Sequence, residues 1–334
     1  MVKFIRELAN EDTAVLIVEH DLIILDYMTN LIHLMYGQDS CYGVISNPRS
    51  TRAGINVYLE GYLKEENIRF RDHKIKFMKL HAKKKTKGIE LISWKGITKK
   101  LGSFNLEADV GGVNKHDSVG ILGENGIGKT TFVRILAEDI KSDKGKIKGK
   151  VKVSYKPQYL TVSKKIVAEV LKEAIQKYEV ELIRPLKLKQ LFDRKIDELS
   201  GGELQKVAIA LCLSKKADMY LLDEPSAYLD VEQRLRVARM IKDIMEKRGS
   251  SALVVDHDIL FIDYLSNNLL VFQGEPAVNG TVNGTFSMEE GMNLFLKGLN
   301  ISLRRDKESS RPRINKLDSV LDREQKSKNK LYYA

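Results

Sequence analysis

A nine-residue segment near the middle of the chain constrains the fold most strongly. The apolar residues 119–122 lead into Gly-Glu-Asn-Gly-Ile-Gly-Lys-Thr-Thr, and residues 132–137 follow with helical apolar spacing. Glycines allow backbone N–H groups to wrap an anion, and a helix N-terminus adds partial positive charge. The pattern Gly-x4-Gly-Lys-Thr between a strand and a helix therefore predicts a phosphate-binding loop. Its candidate nucleotide-binding residues are Gly123, Glu124, Asn125, Gly126, Ile127, Gly128, Lys129, Thr130 and Thr131.

This loop and two downstream carboxylates predict a metal-assisted hydrolytic site. Lys129 is expected to reach the β- and γ-phosphates, and the Thr130 hydroxyl to bind Mg²⁺. Asp223 ends the apolar run 219–222, where a buried strand would present its carboxylate to the same cation. Glu224 is expected to polarise the attacking water; the alternative is a strand-end carboxylate that caps the next turn.

The segment Leu-Ser-Gly-Gly-Glu, residues 199–203, lies between these motifs and precedes a helical pattern. Taken alone it is an ordinary helix cap. In this order, the sequence over about residues 89–275 resembles the ATP-binding cassette (ABC) family, and the segment matches the family signature. The candidate signature residues are Leu199, Ser200, Gly201, Gly202 and Glu203.

The resemblance implies roles for four further positions. Gln158 resembles the Q-loop glutamine, a Mg²⁺ ligand that links the metal to a helical subdomain, and Asp230 resembles the D-loop aspartate. His257 resembles the switch histidine, a catalytic residue that contacts the γ-phosphate. Trp94 lies where the family often stacks an aromatic ring on adenine, with core packing as the alternative.

Two groups of short segments narrow the resemblance to one subfamily. Residues 42–45, 54–56 and 67–72 resemble the first hinge of the E subfamily, and residues 311–316 and 322–326 resemble its C-terminal hinge. These are the soluble twin-cassette proteins called RNase L inhibitor, or Rli, of archaea and eukaryotes. The resemblance implies ATP-driven splitting of ribosomes into subunits and a release-factor-like partner. It also implies binding to the ribosomal small subunit and its rRNA.

A fifteen-residue sequence occurs twice in the chain. Residues 16–30 and 253–267 are identical at seven positions, and the same offset relates residues 54–61 to residues 291–298. A register held over this length indicates a duplicated domain, of which the first copy is represented only by its C-terminal end. His20 corresponds to His257 and is expected to be the switch residue of an incomplete first cassette.

Proteins of the E subfamily also carry a cysteine-rich domain with two iron–sulfur clusters and a complete first cassette. The chain has two cysteines, Cys41 and Cys212, so no iron–sulfur cluster is expected in it. We expect the rear half of a twin-cassette protein, whose N-terminal half is a separate chain or a removed portion. Because family cassettes work head to tail, the chain alone is expected to bind Mg·ATP and to hydrolyse it slowly.

The net charge of +11 is concentrated in two segments. Residues 68–100 contain twelve Lys and Arg against two Asp and Glu, and residues 301–334 contain ten against five. Solvated surface lysines explain these segments as well as an RNA footprint does, including the run Lys-Lys-Lys-Thr-Lys at residues 83–87. The sequence shows neither a long apolar span nor a signal-peptide pattern, so a cytoplasmic protein without a membrane partner is expected.

The order of the motifs predicts an α/β P-loop core with a helical subdomain, together with a first-cassette remnant and hinge segments. The expected divisions are residues 1–40 for the remnant, 41–75 for a hinge, 76–297 for the second nucleotide-binding domain and 298–334 for a basic hinge tail. Strands are expected at residues 15–18 and 31–35. Without sheet partners these strands would expose edges and apolar surface, so residues 1–40 should be the least stable part or dock on another chain.

Two other classes of function compete with ribosome splitting. The first is another soluble ABC ATPase, either an F-type translation factor or a DNA-repair ATPase, although the long heptads of coiled-coil repair proteins are not visible. The second is a nucleotide-gated module that holds RNA or protein without catalysis.

Overall fold

The structure is a computed structural model that describes residues 2–38, 41–75, 77, 88–158 and 163–333. The basic run at residues 83–87 lies outside this part of the chain. The chain divides into two compact units: residues 81–298 form one, and residues 1–80 with 299–334 form the other. The expected divisions at residues 1–40, 41–75, 76–297 and 298–334 stay predictions.

The unit that contains the N-terminal residues begins with short helices and two-stranded ladders. The elements up to residue 69 are α1 (Val2–Leu8), α2 (Leu22–Met28), β1 (Leu31–Ile32), β2 (Met35–Gln38), β3 (Tyr42–Ile45), β4 (Arg49–Ser50), α3 (Thr51–Glu60), β5 (Tyr62–Leu63) and β6 (Ile68–Arg69). The antiparallel pairs are β1–β4, β2–β3 and β5–β6.

The larger unit is built on a mixed β-sheet. Its strands are β7 (Glu90–Leu101), β8 (Phe104–Asn114), β9 (Ser118–Leu122), β10 (Lys144–Lys148), β11 (Val153–Lys156), β12 (Met219–Asp223), β13 (Ser251–Val255), β14 (Asn268–Glu275), β15 (Asn279–Val282) and β16 (Phe286–Ser287). Their order is β10–β7–β8–β15–β14–β9–β13–β12–β11, and β16 pairs with β14. Strands β14, β9, β13, β12 and β11 are parallel. Burial on both faces explains why β9, β12 and β13 are continuous apolar runs in the sequence.

Seven α-helices accompany this sheet in the described residues. They are α4 (Lys129–Leu136), α5 (Val167–Val170), α6 (Lys172–Lys177), α7 (Gly201–Ser214), α8 (Val231–Arg248), α9 (Ile259–Leu265) and α10 (Met288–Gly298). A π-helical turn at Glu179–Ile183 and two 3-10 turns at Lys189–Leu191 and Ile196–Glu198 lie between α6 and α7. The described residues between β11 and β12 therefore form mainly helices and turns, and the predicted α/β P-loop fold with a helical subdomain is confirmed.

Helix α4 is fixed by aromatic packing. The Phe132 ring lies 5.1 Å from Trp94 of β7 and 5.6 Å from Phe272 of β14, in both cases edge to face. These contacts join the antiparallel and parallel parts of the sheet to the helix that follows the phosphate loop. The loop is therefore attached to a rigid core.

The chain ends with β17 (Leu303–Arg305), β18 (Pro312–Ile314) and α11 (Val320–Ser327), where β17 and β18 are antiparallel. Buried ion pairs join this tail to α2. Asp26 accepts hydrogen bonds from Nε and Nη2 of Arg313 at 2.6 and 2.9 Å, and Nη1 of the fully buried Arg311 lies 3.4 Å from Asp26. Two of the tail's basic side chains therefore hold this unit together.

The structure shows the internal repeat in atomic detail. Asp21 caps α2 with φ −79° and ψ 109°, and Asp258 caps α9 with φ −78° and ψ 106°. The pair Leu31↔Ser50 between β1 and β4 corresponds to Asn268↔Ser287 between β14 and β16. The pair Met35↔Ile45 between β2 and β3 likewise corresponds to Phe272↔Val282 between β14 and β15. The two copies share both helix cap and strand register.

The expected strand at residues 15–18 is wrong, because those residues have no regular structure. Their counterparts form β13, which lies between β9 and β12. Leu16 is 91% exposed, whereas its counterpart Leu253 is 0% exposed; Val18 is 81% exposed and Val255 1%. The expected strand at 31–35 begins as β1, is interrupted at residues 33–34 and resumes as β2.

Candidate nucleotide site

The loop between β9 and α4 has the backbone that phosphate binding requires. Gly126 and Gly128 adopt φ of 77° and 91°, in the left-handed region that favours glycine. Gly128 is the N-cap of α4, so the free N–H groups of the first turn face the loop. The arrangement can bind a polyphosphate.

Lys129 lies buried beneath this loop. Its Nζ donates hydrogen bonds to the carbonyl oxygens of Gly123 at 2.9 Å and Glu124 at 2.6 Å. Burial lowers the pKa of Lys129 to about 8, while the carboxylates of Glu224 and Asp223 act in the opposite direction. An incoming phosphate would supply the negative charge that favours the ammonium.

The residues expected to hold Mg²⁺ meet at the adjacent strand end. Thr130 Oγ1 donates to Oδ2 of Asp223 at 2.8 Å, and burial raises the pKa of Asp223. Asp223 Oδ1 is buried and has no hydrogen-bond partner among the described residues. A buried oxygen acceptor without a partner, next to a threonine hydroxyl, fits a hard cation such as Mg²⁺.

The two expected catalytic residues form a pair. Because β12 and β13 are parallel neighbours, the residues that follow them lie at the same sheet edge. His257 Nε2 lies 3.1 Å from Oε1 of Glu224. This hydrogen bond lowers the pKa of Glu224, although burial acts to raise it. The carboxylate therefore stays ionised, as a residue that polarises water must.

These side chains line one cleft of about 340 Å³. The lining residues are Phe104, Asn125, Gly126, Gly128, Lys129, Thr130, Thr131, Gln158, Glu224, Val255 and His257. The structure thus brings the phosphate loop, Gln158, Glu224 and His257 together. Phe104 and Val255 also line the cleft, although neither belongs to a motif that the sequence predicted.

Trp94 does not line this cleft, and its expected role at the adenine is corrected. It is 2% exposed and belongs to the core around Phe132. The aromatic ring beside the phosphate loop is that of Phe104, which lines the cleft. Its Cζ lies only 2.9 Å from the position that a Cβ on Gly128 would occupy. A hairpin turn, Gly102-Ser103, precedes Phe104 in the sequence. An aromatic residue directly after this turn is the sequence feature that could have identified Phe104 as a cleft residue.

The signature lies at the start of α7. The Ser200 side chain accepts from the Glu203 N–H, and the Glu203 carboxylate accepts from the Ser200 N–H at 2.9 Å. These reciprocal hydrogen bonds form a capping box. Leu199 precedes the box, and Gly201 and Gly202 lie between its two residues. None of residues 199–203 is among the described residues that line the cleft.

Side-chain hydrogen bonds also hold the segment between β12 and α8 in place. Asp230 caps α8 by accepting from the Gln233 N–H at 2.8 Å. Buried Asp256, which sequence reasoning did not single out, accepts from the N–H and Oγ of Ser226 at 3.0 and 2.7 Å. Burial raises the pKa of Asp256 to about 6. Asp256 immediately precedes His257, so its hydrogen bonds tie Ser226 to the strand end that carries His257.

His20, the proposed counterpart of His257, lies in the other unit and is exposed. Its neighbour Asp21 caps α2 by accepting from the N–H groups of Ile23 and Ile24. The role of His20 stays a prediction. In the described part of the chain, no helix is both long and apolar enough to span a bilayer.

Comparisons with known proteins agree with this geometry. The family model described as ABC transporter matches residues 109–227. The archaeal ribosome recycling factor aABCE1, solved with the archaeal ribosomal stalk protein aP1, superposes with a TM-score of 0.92 at 48% identity, covering 100% of this chain and 66% of that one. A model of ribosome-bound archaeal Pelota and ABCE1 gives a TM-score of 0.94 at 49% identity, covering 100% and 57%.

A shorter relative defines the family. ABC transporter E family member 3 of Arabidopsis thaliana is 36% identical over 170 residues, which are 47% of this chain and 94% of that protein. The chain spans 56–57% of the length of the first curated relatives that it matches. With the phosphate loop, signature and strand-end carboxylates in place, the chain belongs to the E family of ATP-binding cassette proteins.

Proposed function

We propose that this chain is an ATP-hydrolysing part of a cytoplasmic ribosome-recycling factor, which splits ribosomes into subunits. The observation that carries the proposal is the pairing of Glu224 with His257, 3.1 Å apart, in a cleft that also contains Lys129 and Thr130. A phosphate loop with an ionised glutamate at its mouth suits hydrolysis of a nucleoside triphosphate.

Each side chain of the cleft has a defined task in this proposal. Lys129 and the N-terminus of α4 bind phosphate oxygens. Thr130, Asp223 and Gln158 would hold Mg²⁺, which when bound would neutralise charge on the β- and γ-phosphates. Glu224 accepts a proton from the attacking water, and His257 orients that carboxylate and contacts the γ-phosphate.

The site is completed by a second cassette. The signature, Ser200 to Glu203, does not line the cleft of its own chain, which suits a signature that closes the nucleotide of a partner cassette. The first-cassette remnant supports the same conclusion, because Leu16 and Val18 are exposed where their counterparts Leu253 and Val255 are buried. We propose that a complementary cassette half, with its own phosphate loop, covers this apolar surface and uses His20.

The ribosomal partners follow from the relatives. Similar chains are a ribosome recycling factor bound to a ribosomal stalk protein and a protein bound to the ribosome with Pelota. We propose that this chain likewise acts on the ribosome, contacts the small subunit and its rRNA, and works with a release-factor-like protein. The basic segments 68–100 and 301–334 supply positive charge for phosphates, although Arg311 is not available because it is fully buried.

ATP turnover of the purified chain, alone and with a polypeptide carrying the complementary cassette, tests this function. We expect slow turnover alone, strong stimulation by the added cassette, and loss of most of the stimulated turnover in Lys129→Ala. Sedimentation should show that the stimulated complex converts 70S or 80S ribosomes into subunits when ATP and a release-factor-like protein are present. Equal turnover with and without the second cassette, in a monomeric sample, would contradict the proposal.

A further inference from the structure

The backbone of Glu224 has an unusual conformation. Its φ is 48°, in the left-handed region that non-glycine residues rarely adopt. Such a conformation is strained for a non-glycine residue and persists only where the surroundings enforce it. The contacts that enforce it therefore determine where the Glu224 carboxylate points.

Backbone and side-chain hydrogen bonds fix the peptide groups on both sides of Glu224. The Glu224 N–H donates to the carbonyl oxygen of Val255 at 2.7 Å. The Glu224 carbonyl oxygen accepts from Nε2 of Gln205 at 2.5 Å. The preceding carbonyl oxygen, that of Asp223, accepts from Nζ of Lys156 at 2.7 Å, and the same Nζ lies 3.4 Å from the Glu224 carbonyl oxygen.

Lys156 is an unexpected residue at this place. It ends β11, pairs with Leu222 of β12 and is 1% exposed. Burying an ammonium group is costly unless hydrogen bonds and charges compensate for it. Burial lowers the pKa of Lys156 to about 8, while Asp223 and Asp256 act in the opposite direction. An apolar side chain would fill the same volume without this penalty.

A purely structural role is the simpler alternative, with Lys156 as the counter-charge of the buried Asp223 and Asp256. The directions of its hydrogen bonds favour an additional role in orienting the backbone of Glu224. In the described part of the chain, both hydrogen bonds of the ammonium go to carbonyl oxygens that flank Glu224 and not to a carboxylate. Gln205 of α7 donates to one of the same carbonyl oxygens from the helical subdomain.

We propose that Lys156 is a positioning residue that holds Glu224 in its left-handed conformation, so that the carboxylate faces His257 and the nucleotide cleft. The inference rests on the proposed hydrolytic role of Glu224. Lys156 lies two residues before Gln158 on the same chain segment, so the contact ties the Q-loop strand to the backbone of the general base. Lys156 does not touch the cleft itself.

Steady-state ATP turnover and nucleotide binding of the complete two-cassette assembly test this role. Lys156→Met removes the ammonium and keeps an unbranched side chain that is only one atom shorter. We expect kcat to fall about 10- to 100-fold, as for a misplaced catalytic group, while KM and the Kd for ATP stay within about twofold. Lys156→Arg should recover part of kcat, and Lys152→Met, at an exposed lysine four residues earlier, should match the wild type.

The Glu224→Gln background separates this inference from the proposed function. There Lys156→Met should lower kcat no further, because the group that Lys156 positions is already absent. Normal turnover in Glu224→Gln overturns both the hydrolytic role of Glu224 and the inference. An impaired Glu224→Gln beside an unchanged Lys156→Met, or a Lys156→Met that weakens ATP binding as much as it lowers kcat, overturns the inference alone.

Loss of the buried charge could unfold the variant, so Gln205→Met provides a second test. It removes the other side-chain donor to the Glu224 carbonyl oxygen and leaves every charge in place. We expect a smaller fall in kcat with unchanged KM and an unchanged midpoint of thermal unfolding. If Lys156→Met does not fold, an unchanged kcat in Gln205→Met overturns the inference.

Discussion

The imidazole Nε2 of His257 lies 3.1 Å from Oε1 of Glu224, and the two residues follow neighbouring parallel strands. The contact gives the glutamate an orientation and keeps it ionised. Substitution of Glu224 by glutamine preserves the size of the side chain and the hydrogen bond but removes the negative charge.

Glu224→Gln should therefore reduce ATP turnover about 100-fold or more without weakening ATP binding. Phosphate release and calorimetric titration with ATP measure the two effects. The matched control is Glu289→Gln, an exposed glutamate of α10, which should behave as the wild type. A Glu224→Gln protein that turns over normally would remove the carboxylate from the mechanism.

Phe104 and Trp94 should separate binding from stability. Phe104 lines the cleft, so Phe104→Ala should weaken ATP binding by about 1 kcal/mol, the value of one aromatic stacking contact. Trp94 lies in the core, so Trp94→Leu should lower the free energy of unfolding by about 2 kcal/mol or more and leave ATP affinity within about twofold. Isothermal titration and urea unfolding measure the two quantities. If Trp94→Leu weakened ATP binding and Phe104→Ala did not, Trp94 would belong to the nucleotide site after all.

The caps of the repeated helices offer a matched pair. Asp21→Ala removes a helix cap at a half-buried site and should cost about 1 kcal/mol of unfolding free energy. Asp258→Ala removes the equivalent cap and also the carboxylate 2.7 Å from Nη1 of Arg234, whose side chain is mostly buried. It should cost about 3 kcal/mol. Urea unfolding followed by circular dichroism measures both costs, and a cost of only about 1 kcal/mol for Asp258→Ala would show that its ion pair with Arg234 contributes nothing beyond the cap.

Asp306 should make the stability of the smaller unit depend on pH. Burial alone would raise the pKa of Asp306, but hydrogen bonds from Ser309, Glu308 and Arg313 outweigh it and lower the pKa to about 2 from 3.8. Since the folded pKa is the lower one, ionised Asp306 stabilises the fold above about pH 4. This contribution, about 2 kcal/mol, is lost as the pH falls through 2.

Wild type and Asp306→Asn should therefore differ by about 2 kcal/mol in the free energy of unfolding at pH 5–7. The difference should shrink below pH 4 and be mostly lost at pH 2. Urea unfolding at a series of pH values measures it. A difference that stays constant down to pH 2 would exclude a titrating Asp306 as its source.

The sequence predicted the cleft well because its motifs are local. Gly128, Lys129 and Thr130 are consecutive, so the loop that carries them specifies their geometry. The order of the motifs along the chain also predicted which strands meet, since Asp223 and His257 both follow strand patterns. Neither inference needed knowledge of distant contacts.

The features that sequence reasoning missed depend on contacts between distant residues. Phe104 reaches the cleft because β8 pairs with β15 and passes the phosphate loop. Lys156 resembles any other lysine in a basic stretch until β11 pairs with β12. Val18 is in an apolar run like that of Val255, yet only the latter lies between two strands. Strand formation depends on neighbours that the local sequence does not specify.

The burial of Trp94 also has a spectroscopic consequence. It is the only tryptophan of the chain, it is shielded from water, and it contacts the helix that begins at the phosphate loop through Phe132. Its fluorescence emission is therefore a single-site reporter of the larger unit. Quenching or a red shift marks the opening of the core beneath α4, while unfolding confined to residues 2–38 leaves the signal unchanged.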